Sequence, residues 1–154
     1  MTTVGERLAR EFFERVWSPP HDLDAIDELM TPDYRITTAG QVIEGREAFK
    51  AWVGQMQTLV GNASNEHLDI ITNAAGDKVV SRWITRGVNN GMIEVRAITE
   101  RSCSRDNFEI SSSVMPSAKY SFSASALMFV EDGRLSECWV ERSAYELYRR
   151  LEAR

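Results

Sequence analysis

Val4, Leu8, Phe12 and Val16 recur every fourth residue, Phe13 and Trp17 widen that stripe, and Arg7, Arg10, Glu11, Glu14 and Arg15 fall opposite. The spacing predicts an amphipathic helix, stopped at Ser18-Pro19-Pro20 because proline cannot continue the hydrogen-bond ladder. A second, shorter helix starts at His21-Asp22, keeps Leu23, Ile26, Leu29 and Met30 apolar, and ends at Thr31-Pro32-Asp33. Tyr34 to Thr38 reads as a short strand, Ala39-Gly40-Gln41 as a turn, and Val42-Ile43-Glu44 as the return strand. Gly45-Arg46-Glu47 opens a third helix, with Phe49, Trp52, Val53, Met56 and Leu59 on one face.

After Gly61-Asn62-Ala63-Ser64 the period changes from helical to alternating. Leu68 to Thr72 and Lys78 to Val88 pair across Ala74-Ala75-Gly76-Asp77. Met92 to Thr99 reads as another strand, Arg101 to Asn107 as a polar loop, and Phe108 to Val114 as a weaker strand. The stretch from Glu94 to Ser113 is long for a connection within a domain, and reads as a lid, an extended hairpin or a partner contact. Tyr120 to Val130, the turn Glu131-Asp132-Gly133-Arg134, Leu135 to Arg142 and Ser143 to Leu151 then form strand, turn, strand and short helix. Ser143 caps that helix, with Glu146 at the capping-box position. On one face of the first of these strands stand Tyr120, Phe122, Ala124, Ala126, Met128 and Val130. Its small mid-strand residues leave room where a filled core would want Leu or Ile.

Helices followed by a meander of strands predict an α+β domain, helices packed on one face of a strongly bent antiparallel sheet with a pocket beneath them. At 154 residues the chain is long enough for one domain, 1–154, with a substantial core. The net charge of −5, with no basic run longer than Arg149-Arg150, argues against a nucleic-acid partner. No apolar run approaches the roughly 20 residues that span a bilayer, and the N-terminus lacks the apolar core of a signal peptide. Cys103 and Cys138 have no CxxC spacing, so a reduced, cytoplasmic setting is the simpler expectation. With two histidines, His21 reading as a surface cap and His67 at a strand edge, no metal site is expected.

The candidate chemistry centres on the last strand. One side carries Glu137, Trp139, Glu141 and Ser143, while Cys138 and Val140 make the other side apolar too, so alternation alone does not choose the inward face. Facing a cavity beside Trp139, Glu141 would be a desolvated acid or base with a raised pKa. Facing water, it would be a rim carboxylate paired with Arg82, Arg86 or Arg142. Tyr34 could hold a substrate oxygen or pack with its hydroxyl on a backbone carbonyl. Trp83 suits a pocket wall or core, with Arg82 on the opposite face. Asn89 and Asn90 could bond a ligand oxygen, though Asn-Asn-Gly is first a turn sequence. Phe13, Trp17, Trp52 and Met56 lie on core stripes and are candidate walls for a flat apolar ligand.

Phe12-Phe13, then Leu29-Met30-Thr31-Pro32-Asp33-Tyr34, Ile43-Glu44-Gly45-Arg46-Glu47-Ala48-Phe49, Asp77-Lys78-Val79-Val80-Ser81-Arg82-Trp83 and Asp132-Gly133-Arg134-Leu135-Ser136-Glu137-Cys138-Trp139 occur in this order. In that order the chain resembles the nuclear transport factor 2-like superfamily, and within it the SnoaL-like polyketide cyclases. The resemblance implies a cone-shaped barrel of mixed or antiparallel strands, an apolar pocket under the helices, homodimers, and no metal or organic cofactor. It also places Glu141 inward, matching the acidic position of the epoxide-hydrolase branch. Where cyclases of the family carry a carboxylate four residues after the tryptophan, this chain has Ser143. The expected function is cofactor-independent acid–base catalysis on a polyketide- or terpenoid-like molecule, of cyclase or isomerase type. The alternatives are an epoxide hydrolase and a ligand-binding or dimerisation module without chemistry.

Overall fold

The computed structural model describes residues 1–89, 94–97, 111–114 and 119–143, with 60–62, 89, 94–97 and 111–114 described by backbone alone. Helix α1 (Val4–Glu11) begins at Thr3, whose hydroxyl accepts from the Glu6 N–H at 3.2 Å, satisfying one of the four orphan donors of a helix start. Its outer face carries the i,i+4 pairs Arg7–Glu11 and Glu6–Arg10, each at 2.8 Å. The stripe expected to continue as α-helix widens instead into a π-helical turn, Phe12–Trp17, which buries Phe12, Phe13 and Val16 together. Helix α2 (Ala25–Leu29) is shorter than its apolar pattern suggested, because the backbone turns extended at Met30. Helix α3 (Arg46–Leu59) buries Phe49 and Val53, and its Lys50 reaches Asp24 at 2.9 Å and Asp27 at 3.0 Å, tying it to α2.

The strands are β1 (Met30–Thr38), β2 (Gln41–Glu44), β3 (Val60–Thr72), β4 (Lys78–Asn89), β5 (Glu94–Ala97), β6 (Ser111–Val114), β7 (Lys119–Glu131) and β8 (Arg134–Arg142). Six of them form one mixed sheet in the order β2-β1-β8-β7-β4-β3. Only the β1–β8 pair is parallel. The expected barrel is not formed: β2 and β3 each pair on one side, and the sheet stays open. Strand β3 starts at Val60, so Gly61-Asn62-Ala63-Ser64 is not a break but an irregular stretch of strand, with a register shift between Gly61 and Ser64. Strands β5 and β6 pair with each other, antiparallel, in a separate two-stranded sheet. The polar loop expected between them and the C-terminal helix expected after Ser143 lie outside the described residues. No helix among the described residues is long and apolar enough to cross a membrane.

One interruption sets which residues the sheet shows to the helices. The β7–β8 hairpin turns at Asp132-Gly133, both at positive φ (48° and 75°), the geometry that two-residue hairpins need. The first pairs are Glu131 with Arg134 and Val130 with Leu135, but the next is Phe129 with Glu137. Ser136 is the extra residue of a β-bulge, and its hydroxyl donates to the Phe129 carbonyl at 3.4 Å. A one-residue slip moves every later side chain to the other face. From there Cys138 sits beside Met128 and Val140 beside Ala126, facing the helices, while Trp139 pairs with Leu127 and Glu141 with Ser125 on the outer face.

Helix α1 crosses the β3–β4 turn so closely that a Cβ at buried Gly5 would come within 2.5 Å of the Gly76 carbonyl oxygen and of Val79 Cγ2. Gly54 in α3 would meet only Leu23 Cδ1 at 3.7 Å, an ordinary contact. Gly5→Ala is therefore expected to destabilise by about 1–3 kcal/mol through overpacking. Gly54→Ala should instead stabilise by roughly 0.5–1 kcal/mol through helix propensity. Chemical denaturation of the two variants checks the opposite signs.

Candidate functional site

Aromatic residues from the π turn and α3 meet the small and apolar residues of the sheet's inner face around a cavity of about 90 Å³. Phe12, Phe13 and Trp17 descend from the π turn, and Trp52, Met56 and Gln57 from α3. Strands β7 and β8 supply Tyr120, Phe122, Ala126, Met128, Cys138, Val140 and Arg142, and the floor is completed by Ile36, Ala63, Asn65, Trp83 and Thr85. The volume is below the roughly 300 Å³ at which sites for drug-sized ligands begin, so the enclosed space suits a compact ligand. Its walls are interlocked rings: Phe13 against Trp83 at 4.8 Å, and Trp17 edge-on to Trp52 at 6.0 Å. Trp52 in turn stacks on Phe49 at 5.9 Å. Such pairs add about 0.5–1.5 kcal/mol each beyond area burial, which favours a preformed wall.

The polar groups of the wall are mostly engaged. The Trp83 indole N–H donates to Thr85 Oγ1 at 3.0 Å, and that hydroxyl donates to Asn65 Oδ1 at 2.8 Å. The chain fixes the indole's rotamer and avoids the 1–3 kcal/mol penalty of an unpaired buried donor. The donor that a regular ladder would bring to the Val16 carbonyl is the missing N–H of Pro20, and two side chains use that carbonyl instead. Gln57 Nε2 donates to it at 3.1 Å, and His21 Nδ1 lies 3.2 Å away. Because a carbonyl only accepts, the neutral form of His21 carries its proton on Nδ1 and leaves Nε2 as a lone-pair acceptor. Residue His21, at φ 64° after the prolines, is half-buried at the cavity wall and not the surface cap its neighbours suggested.

Tyr120 and Arg142 form the remaining polar end. The Tyr120 hydroxyl is buried without a hydrogen-bond partner, and burial pushes its pKa up to about 12 against a weak opposing pull from Arg142. The phenol is therefore protonated at neutral pH. Burial lowers the pKa of the Arg142 guanidinium, which Tyr120 partly offsets. Cys138 is buried and pushed up to about 12.

Of the residues singled out from the sequence, Phe13, Trp17, Trp52, Met56 and Trp83 come together around the cavity. Glu141 and Trp139 do not. Both are exposed on the outer face, because the bulge at Ser136 inverts the facing that an uninterrupted hairpin would impose. Tyr34 is fully buried beneath Phe49, ring centroids 5.0 Å apart, in the core and not on the cavity. Burial raises its pKa well above the usual phenol value, and the neighbouring Cys138 thiol adds to the effect. Asn89 closes β4 with its backbone alone described, and Asn90 lies outside the described residues. Sequence reasoning passed over His21, Tyr120, Thr85, Asn65 and Arg142. Tyr120 was visible on the inward face of its strand, and Arg142 follows once the bulge is known. His21 and Asn65 carry no sequence signal, since their positions come from the π turn and the irregular start of β3. Among the described residues, no carboxylate lines the cavity and no group of three His, Cys, Asp or Glu side chains is placed to hold a metal.

Residues 9–138 match the profile of the SnoaL-like domain. No curated protein matches the sequence. Among solved structures, a protein assigned as a SnoaL-like polyketide cyclase from Jannaschia sp. CCS1 superposes with a TM-score of 0.72 at 17% identity, covering 98% of this chain and 93% of that one. An LEH-like epoxide hydrolase of M. tuberculosis gives 0.69 at 16% identity, over 98% and 86%. TsrD from Streptomyces laurentii gives 0.66 at 21% identity, over 98% and 96%. At these identities the likeness establishes a shared fold.

A thiol so buried reacts slowly, since only the thiolate attacks. In a Cys103→Ser background, native Cys138 is expected to resist iodoacetamide at pH 8 and to label fully in denaturant. Rapid labelling of the native protein, read by intact mass, would contradict the burial described.

Proposed function

Because the chain belongs to the SnoaL-like domain family, we propose that it binds a compact, largely apolar carbonyl compound in this cavity and moves a proton on it, in reactions of cyclase or isomerase type. The observation that carries the reading is the pairing of an acceptor with a donor on one aromatic-walled cavity: His21 Nε2, oriented through Nδ1 by the Val16 carbonyl, and the unpartnered Tyr120 hydroxyl. His21 takes a proton from the carbon next to the carbonyl. Tyr120, protonated because it is buried, donates to the oxygen as charge collects there. A general base contributes about 10²–10⁴-fold, and one well-placed oxyanion donor another 10²–10³-fold. The catalytic role expected for Glu141 is not carried forward, since a carboxylate on the outer face cannot reach a ligand among the rings. Epoxide opening of the kind expected from the resemblance would call for a carboxylate at the cavity, and the described lining contains none. That same absence favours one alternative, a binding domain without chemistry.

Deuterium exchange at the carbon next to the carbonyl of cyclohexenone, followed by NMR, separates the two readings. Proton transfer predicts protein-dependent exchange that falls at least about tenfold in His21→Asn and in Tyr120→Phe. Ala126→Leu should block occupancy by filling the cavity floor, and Glu141→Gln should change nothing. Occupancy seen by quenching of Trp17, Trp52 and Trp83 without any exchange would leave the binding reading standing.

We also propose that the protein is a homodimer joined through the sheet's outer face. The register places Ile71, Val80, Leu127, Trp139, Thr37 and Val42 in one row across six strands. The five apolar members of that row are 38% to 63% exposed, an unusual continuous stripe for a lone chain. The row on one side holds Glu44, Arg35, Glu137 and Lys78, and the row on the other Glu141, Arg82 and Asp69. Both signs on both flanks suit a two-fold partner, which meets its own surface. Sedimentation should give twice the chain mass, and Leu127→Lys should give the monomer; an unaltered mass in that variant would count against this interface.

A further inference from the structure

We infer that the cavity selects ligands carrying a carboxylate, seated on Arg142 and Tyr120, with a single flat apolar ring packed against Trp83 and Phe13. The inference rests on the reading of the cavity as a ligand site and names the class of molecule that enters it.

Its starting point is an imbalance of charge. Arg142 faces inward only because the bulge at Ser136 shifts β8 by one residue, and from Ala124's side of the sheet its side chain lines the cavity. The ion pairs of the described structure, such as Arg35 with Glu137 at 2.7 Å or Arg86 with Glu66, join residues that do not line this cavity. Arg142 has no such partner among the described residues, and neither an ion pair nor a hydrogen bond is made by its guanidinium there. In a chain of net charge −5, with carboxylates available for nearly every other arginine of the described surface, the one cation turned into an apolar hollow stands alone. A half-buried cation without a partner carries part of the desolvation cost of a buried charge, which an anion joining it would offset.

The second observation is independent of charge. Tyr120, 3% exposed, lines the same hollow, and its buried hydroxyl has no hydrogen-bond partner. Other polar groups there are engaged: Trp83 and Thr85 in the chain ending at Asn65 Oδ1, Gln57 Nε2 and His21 Nδ1 on the Val16 carbonyl, with His21 Nε2 left as an acceptor. Among the donors left unspent are a planar guanidinium fork and one phenol. A carboxylate accepts from both, two oxygens to the fork and one shared with the phenol. A neutral ketone would occupy the phenol and leave the cation unpaired. A bare inorganic anion would leave the aromatic walls without a partner. The space of about 90 Å³ limits the body of the ligand to about one ring.

The test compares benzoate, its neutral isostere benzamide, and two anions without a ring, acetate and inorganic phosphate, by titration calorimetry on the full chain. Benzoate should bind at least about tenfold more tightly than benzamide and than either ringless anion, as a charge-assisted hydrogen bond is worth about 1.5–3 kcal/mol. Arg142→Gln should erase the preference of benzoate over benzamide, Arg142→Lys should keep part of it, and Tyr120→Phe should weaken benzoate about tenfold or more. The lysine variant retains the charge, so it tests the assignment even if the glutamine variant folds poorly, which circular dichroism would show. Equal binding of benzoate and benzamide overturns the inference while leaving the apolar ligand site intact. Tight phosphate or acetate binding overturns the role of the ring. Binding of none of the four overturns both this inference and the reading of the cavity on which it rests.

Discussion

A single extra residue in the last hairpin governs what the cavity is made of. Counting outward from Asp132-Gly133 in a regular ladder would bring Trp139 opposite Ala126 and Glu141 opposite Ala124, both looking at the helices. With Ser136 bulged, the partners become Leu127 and Ser125, and Cys138, Val140 and Arg142 take the inward places. The choice is cooperative. Strand β8 runs between β1 and β7, and Ile36 beside Cys138 on one side and Met128 on the other are all buried. On the outer face, Glu137 accepts from Arg35 at 2.7 Å and from the Trp139 indole at 3.0 Å, and the Arg35 bond draws its carboxyl below the usual range. A register without the bulge would turn that carboxylate inward and Cys138 and Val140 outward, which burial of a charge and exposure of apolar surface both oppose.

The π turn plays the corresponding part on the helical side. Six residues wound more widely than an α-helix bring Phe12, Phe13 and Val16 to one buried face, and the helix ends at Pro19-Pro20, which leaves the Val16 carbonyl without a backbone donor. Val16 then accepts from α3 through Gln57 and from the loop through His21. One backbone group thereby fixes the helix that carries Trp52 and Met56 and the imidazole proposed to accept a proton. Wide helical turns are frequent at functional sites.

Much of the architecture follows from periods and turn residues. The stripes of α1 and α3, the turns at Ala39-Gly40 and Asp132-Gly133, and the inward row of β7 with its small alanines are each visible as local patterns. So are five aromatic and sulfur-containing walls of the cavity, Phe13, Trp17, Trp52, Met56 and Trp83, since a residue on a core stripe of an element that covers a pocket must be core or wall. Departures cluster where geometry breaks period. The widened turn after Glu11, the extended backbone already begun at Met30 and the strand running through Gly61 and Asn62 leave no mark in hydrophobicity.

The chain's own letters determined the order of helices and strands and the row of small residues that makes a hollow possible, because periods of 3.6 and 2 are written residue by residue. Family membership was legible too, through motifs spread along the chain. Which side of β8 meets that hollow was decided only in three dimensions. Both sides of the strand are half apolar, so no local preference separates them, and the choice falls to pairing with β1 and β7 around one bulged serine. That pairing turned a glutamate outward and an arginine inward, and with them the chemistry the cavity can offer.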